Sequence, residues 1–196
     1  LRQGFLDFIT NIPFYGVAAC CSDHPEVQKL IDKISDRQIK TFGLNAQADI
    51  RGVNLKYDEG RAHFDIKFQK ENFTITDCIL PMPGDYNVSN ALGAIAVAHH
   101  LGIENNKIRE ALANFKGVNR RFTKVGETKG ITFIDDYAHH PTEIKSVLES
   151  LKNTNPKRKI ISVFQPHRFS RLKLLKKEFS FSFKSSDKLL LCPVYS

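Results

Sequence analysis

The run Ile131-Thr132-Phe133-Ile134-Asp135-Asp136-Tyr137-Ala138-His139-His140-Pro141-Thr142-Glu143 passes from an apolar stretch to a polar turn and then to a proline. It predicts a strand over 131–135 and a helix over 141–152, with Pro141 suited to the first helical turn. The pattern then repeats. Ile160-Ile161-Ser162-Val163-Phe164 is an apolar strand that ends in Gln165-Pro166-His167-Arg168-Phe169-Ser170-Arg171, followed by a helix predicted over 169–183 and a strand over 187–192. With one more strand over 122–127, the segment reads βαβαβ. Apolar strands joined by helical crossovers predict a parallel sheet covered on both faces, so the fold class is α/β.

Upstream, the pattern is different. Residues 1–12 place Leu1, Phe5, Phe8, Ile9 and Ile12 at helical spacing, and a short β-like run follows over 15–20. Asp23-His24-Pro25-Glu26 opens a helix that runs to about Ile34, with Asp23 or Ser22 as its cap. A brief strand covers 38–42. Residues 48–80 alternate apolar and polar, broken at Asp58-Glu59-Gly60 and Lys70-Glu71-Asn72, which predicts a three-stranded antiparallel meander. Asn87 to Leu101 is an alanine-rich helix ended by Gly102, and a further helix covers 104–115. The boundary between the two patterns falls near residues 119–123.

Charge is distributed unevenly. The 196 residues carry a net +8, but residues 151–184 hold ten Lys and Arg against Glu178 alone. Those positions therefore carry +9, and the rest of the chain sums to −1. The stretch invites a nucleic-acid reading through its basic residues and Phe169, Phe179, Phe181 and Phe183. Leu172, Leu175, Phe179 and Phe183 fall at helical spacing, however, and are better read as core, with Lys173, Lys176 and Lys177 on the solvated face. No run approaches the ~18 apolar residues of a membrane helix. Cys20, Cys21, Cys78 and Cys192 match no zinc or redox spacing and read as reduced thiols.

Four segments carry chemistry. In open α/β sheets, ligands bind beyond the carboxyl ends of strands, where Asp135 to Glu143 and Gln165 to Arg171 both lie. Arg168 and Arg171 are three apart and can face one side, which suits a carboxylate or phosphate. The plainer readings are a capped polar loop and a solvated helix start. Pro83 to Ala91 leads into the alanine-rich helix, and Asn87 and Asn90 share a helix face from which carboxamides can read a purine edge. Asn87 as a simple N-cap is the alternative. Asn119-Arg120-Arg121-Phe122 sits at the boundary, either to meet a phosphate or as a surface arginine pair. No GxxxxGK[ST] or GxGxxG occurs, and the pairs His99-His100 and His139-His140 lack metal-site spacing. The two at the end of the alanine-rich helix read as favoured by the helix dipole.

Taken together and in order, Asn11 to Gly16, Pro81 to Gly84, Asn87 to Ala98, Arg120 to Phe122, Asp135 to Glu143 and Val163 to Arg171 resemble the Mur ligases. The resemblance is to the branch that adds L-alanine. It implies that 1–121 is the later part of a central ATPase-like domain and 122–196 the first part of a Rossmann-like domain. It also implies ATP-dependent joining of UDP-N-acetylmuramate and L-alanine through an acyl phosphate, assisted by Mg²⁺, in the cytoplasm.

By the same resemblance, Asn87 and Asn90 lie near adenine, Arg121 reaches the nucleotide phosphates and Asp136 meets the ribose. Tyr137 and His139 line the cleft. His167, Arg168 and Arg171 hold the substrate carboxylate and the developing acyl phosphate. Tyr86 and Ala138 depart from the family's usual His and Gly. A UDP-binding domain, the phosphate loop and the metal ligands are expected before Leu1, so no metal ligand is expected here and the 196 residues alone should not turn over. Nucleic acid and membrane are not expected partners. The alternatives are a related ligase that attaches a recycled peptide to the same sugar nucleotide, a basic nucleic-acid-binding module, or an inactive remnant that pairs with another chain.

Overall fold

The computed structural model describes residues 2–58 and 60–195. Leu1 of the first expected helix, Glu59 of the 58–60 turn and Ser196 lie outside the described residues. The chain divides into two compact units, 1–115 and 116–196, so the division falls ahead of the expected 119–123 boundary.

The first unit begins with α1 (Arg2–Thr10), β1 (Val17–Cys21), α2 (Pro25–Ile31) and β2 (Gln38–Gly43). β3 (Ile50–Asp58), β4 (Arg61–Phe68) and β5 (Phe73–Leu80) then form the meander, followed by α3 (Asp85–His100) and α4 (Asn105–Ala113). The strands make one sheet in the order β1-β2-β3-β4-β5. β1, β2 and β3 run parallel, and β3, β4 and β5 antiparallel.

Alternation in β4 decides which face is buried. Ala62, Phe64, Ile66 and Phe68 are all buried, as are Val88, Leu92, Ile95 and Ala96 of α3. Each large side chain so buried contributes on the order of 1.5–3 kcal/mol. α3 approaches β2 closely enough that a Cβ on Gly93 would lie 2.9 Å from the Phe42 ring.

The cap of α2 differs from expectation. His24 is the N-cap, its Nδ1 accepting from the Glu26 N–H at 3.2 Å. Asp23 instead clasps the turn after β2, its carboxylate accepting from the N–H groups of Leu44 and Asn45 at 2.9 and 3.0 Å. A Cβ on Gly43 would lie 2.5 Å from that carboxylate, which explains the glycine.

The second unit holds β6 (Thr123–Thr128), β7 (Ile131–Asp135), α5 (Pro141–Thr154) and β8 (Ile161–Phe164), then α6 (Phe169–Leu174), α7 (Lys176–Ser182) and β9 (Lys188–Leu191). β6 and β7 form a hairpin whose two-residue turn, Lys129-Gly130, has positive φ at both positions, as such turns require. β8 and β9 pair in parallel. Ile144 and Leu148 of α5, Phe164 of β8 and Phe179 of α7 form the core.

Two expectations fail here. The helix over 169–183 is two short helices joined at Leu175 (φ −113°, ψ 27°). The sheet is also less extensive than one parallel layer covered on both faces: β7 pairs with β6, and β8 with β9. Helices α5 and α7 cover one face of the β8–β9 pair, while Ile161 and Val163 point away from the core at 62 and 68 % exposure.

Candidate active site

In the first unit, the turn Pro83-Gly84 leads into α3, with Gly84 (φ +102°) as N-cap. Asn87 is therefore inside the first helical turn rather than its cap. It is buried, and its Nδ2 donates to the Pro83 carbonyl at 2.7 Å, which fixes the amide against the turn. Asn90, one turn on, is exposed. At the carboxyl end of β1, Cys21 Sγ lies 3.4 Å from Ser89 Oγ, so this strand end and the start of α3 meet.

In the second unit, the turn 118–122 is bound to the end of β7. Arg120 and Phe122 both have positive φ, 59° and 51°. Each unusual backbone is held by a specific bond. Asp136 Oδ2 accepts from the Phe122 N–H at 2.8 Å and Oδ1 from the Ala138 N–H at 2.7 Å. The Tyr137 N–H donates to the Arg120 carbonyl at 2.7 Å. The Arg120 guanidinium lies over the Tyr137 ring at 4.9 Å and 3.5 Å from Asp135. These bonds gather Arg121, Asp136 and Tyr137 in one place, and they show Asp136 bracing backbone with both oxygens.

Glu143 had no role assigned to it from sequence, yet it organises the loop. Its Oε2 accepts from the N–H groups of His139 and His140 at 3.0 and 3.1 Å, and His140 Nδ1 accepts from the Thr142 N–H at 3.3 Å. This is a capping box, and the spacing of a capping residue three before Glu143 is the signal that could have revealed it. His140, rather than a Thr or Asp, is the cap. Glu143 also lies 3.7 Å from both Arg121 Nη1 and His139 Nδ1. Burial pushes its carboxyl up, but the two backbone N–H groups and the charges of His139 and Arg121 outweigh this and hold it below the ordinary carboxylate range. His139 Nδ1 lies 3.0 Å from the Tyr137 carbonyl, and the two rings meet edge to face.

The turn after β8 presents the remaining three residues. Arg168 is the N-cap of α6 with φ +67°, a left-handed backbone that costs an L-residue energy and tends to persist where function holds it. It is held by its N–H bond to the Tyr195 carbonyl at 3.0 Å, while the Tyr195 N–H donates to the Pro166 carbonyl at 2.8 Å. The His167 and Tyr195 rings stack at 5.5 Å. Tyr195 was absent from the expected site; its pairing with His167 is between separate strand ends and has no local signal. Arg171 Nη1 is buried and makes no hydrogen bond among the described residues. Ala138 and Leu172 pack on the same buried cluster, so both turns are supported by one core.

No group of three or more His, Cys, Asp or Glu that could hold a metal ion occurs among the described residues. Cys20, Cys21, Cys78 and Cys192 are free. No helix among the described residues is long and apolar enough to cross a membrane.

Known proteins are similar to this chain along its whole length. The chain is 60% identical over all 196 residues to UDP-N-acetylmuramate–L-alanine ligase of Jannaschia sp. (strain CCS1), and covers 41% of that protein. It is 57% identical over its full length to the ligase of the same name from Ruegeria pomeroyi, covering 42%. The chain thus spans about two fifths of the length of these curated relatives. The crystal structure of UDP-N-acetylmuramate-alanine ligase from Thermotoga maritima superposes with a TM-score of 0.77 at 26% identity, over 99% of this chain and 41% of that one. Residues 2–98 match the Mur ligase middle domain, and residues 120–194 match the Mur ligase glutamate ligase domain. By sequence match, order of motifs and fold, the chain belongs to the Mur ligase family.

Proposed function

We propose that this chain is part of an ATP-dependent ligase that joins L-alanine to UDP-N-acetylmuramate in peptidoglycan precursor synthesis, in the cytoplasm. The observation that carries the reading is the 55–60% identity, along the whole chain, to curated ligases of that name.

In this reaction the substrate carboxylate takes the terminal phosphoryl group of ATP, forming an acyl phosphate and ADP. The alanine amine then attacks the acyl carbon, and phosphate leaves with the C–O bond as the amide forms. Negative charge gathers on the carboxylate and phosphoryl oxygens, so catalysis rests on positioning and on cationic donors. Arg168 and Arg171 are the donors for the carboxylate and acyl phosphate, with His167 beside them. A water-excluded guanidinium such as Arg171 Nη1 is already desolvated, so its interaction with an anion is strong.

Arg121 takes the nucleotide phosphates, and Glu143 and Tyr137 hold it ready. Asn87 and Asn90 read the adenine, Asp136 lies at the ribose and His139 lines the cleft. Mg²⁺, when bound, would supply phosphate charge neutralisation in this chemistry, and the described residues hold no group of three or more His, Cys, Asp or Glu to take it.

The test offers UDP-N-acetylmuramate with either L-alanine or the tripeptide of the recycling reaction to the enzyme purified from its source cell, and follows ADP release. Release with L-alanine is expected, and Arg171→Met should lower kcat by roughly 10²-fold or more. Turnover with the tripeptide while L-alanine is inert would sink the proposal in favour of the recycling ligase.

A further inference from the structure

Helices α6 and α7 follow one another at Leu175, and each turns one side to the core. At Leu175 the Leu175 N–H donates to the Arg171 carbonyl, closing α6, and the Phe179 N–H donates to the Leu175 carbonyl, opening α7, both at 2.9 Å. Leu172, Leu175, Phe179 and Phe183 face the core of the second unit. Away from that core stand Phe169, Lys173 and Leu174 of α6, Lys176, Lys177 and Phe181 of α7, and Lys184 in the turn beyond it. All seven are exposed, Leu174 at 80 % and Phe181 at 50 %. Both helices lie within the stretch that carries all of the molecule's excess positive charge, where Glu178 is the single acid.

We propose that this outer face of α6 and α7 docks the protein onto an anionic lipid surface. An apolar partner protein would have to strip water from four ammonium groups without compensation. A nucleic-acid strand would use the lysines but gain nothing from the aliphatic Leu174. A bilayer interface takes both kinds of side chain. Leu174 and Phe181 enter at the boundary between headgroups and acyl chains, while Lys173, Lys176, Lys177 and Lys184 stay among lipid phosphates. Four lysines within the twelve residues from Lys173 to Lys184 reach the size of cluster that recognises anionic lipid. The expectation of no membrane partner rested on the lack of a spanning segment, which a surface contact does not need.

The test is sedimentation of the full 196-residue chain with vesicles of phosphatidylcholine alone or mixed with phosphatidylglycerol. Binding to the mixed vesicles only, released by salt, is expected. Lys173→Glu with Lys177→Glu should weaken it by roughly tenfold or more. Lys33→Glu with Lys56→Glu, the same change of charge on exposed sites of the first unit, should leave it intact. Leu174→Ser with Phe181→Ser should also weaken binding, with circular dichroism confirming the fold. If the glutamate pair does not fold, Lys173→Gln with Lys177→Gln takes its place. No binding to the mixed vesicles, or binding that the Lys173 and Lys177 changes leave untouched, overturns the proposal. So does binding to single-stranded RNA that depends on the lysines but not on Leu174 and Phe181, accompanied by failure to bind the vesicles.

Discussion

Glu143 acts through its charge. It receives two successive backbone N–H groups and faces Arg121 and His139, so a neutral isostere keeps the shape and loses most of the attraction. Glu143→Gln should destabilise the second unit by about 1 kcal/mol, read from its urea midpoint. The pH dependence has a definite sign. A carboxyl held below its ordinary value contributes stability that is complete above the unfolded pKa of about 4.3 and is lost as pH falls through the lower folded value. The variant should lack that part of the acid dependence. Asp136 shows a related economy of one side chain bracing two backbone groups. Asp136→Ala leaves the Phe122 and Ala138 N–H groups without their acceptor and should cost about 1–3 kcal/mol per group that water does not reach. An Asp136→Ala chain as resistant to urea as the parent would show that the 118–122 turn holds itself.

At the scale of elements, α3 and its sheet carry most of the first unit's core. Leu92 is fully buried, and Leu92→Ala should cost about 2–5 kcal/mol, measured by denaturant unfolding. The last turn of α3 has a less obvious property. His99 stacks on Phe68 at 4.5 Å, and its Nδ1 lies 3.3 Å from the Lys40 ammonium. Burial, then the Lys40 charge, then His100 hold its pKa below the ordinary imidazole value, against the opposing pull of Glu71. The unfolded chain therefore takes up a proton first as pH falls. Stability should be complete above about pH 6.5 and decline as pH drops toward the lower folded value. Thermal unfolding between neutral pH and about pH 5 checks this, and His99→Phe should flatten the decline. His99 does lie in the last turn of α3, as the helix-dipole reading expects, but an aromatic pair and a cation surround it and disfavour its charged form.

At the scale of the molecule, two units each have their own core, one built on β4 and α3 and the other on Ile144, Leu148, Phe164 and Phe179. Leu92→Ala and Leu148→Ala share no partners, so each should lower hydrogen-exchange protection in its own unit only. Loss of protection in both units from either change would show a single cooperative fold.

Much of this architecture was legible in the residues. Alternation over 48–80 predicts the meander because a half-buried strand has a period of two, and β3, β4 and β5 follow it. Apolar strands and capped helices predict the elements after 122, and the order of short motifs pointed to the family. Those properties depend on neighbours within a few residues or on a repeating period. Contacts between distant segments have no such signature. The choice of His24 over Asp23 as a cap depends on the turn after β2, which takes up Asp23. The pairing of β7 with β6 rather than β8, the stacking of Tyr195 on His167 and the burial of Arg171 Nη1 depend on where folded elements come to rest. The sequence by itself thus determined most of the elements, their order and most of the residues offered to the site. Only the tertiary structure decided which of those residues brace the backbone and which keep a buried donor without a partner, because burial and hydrogen-bond commitment are properties of the packed chain.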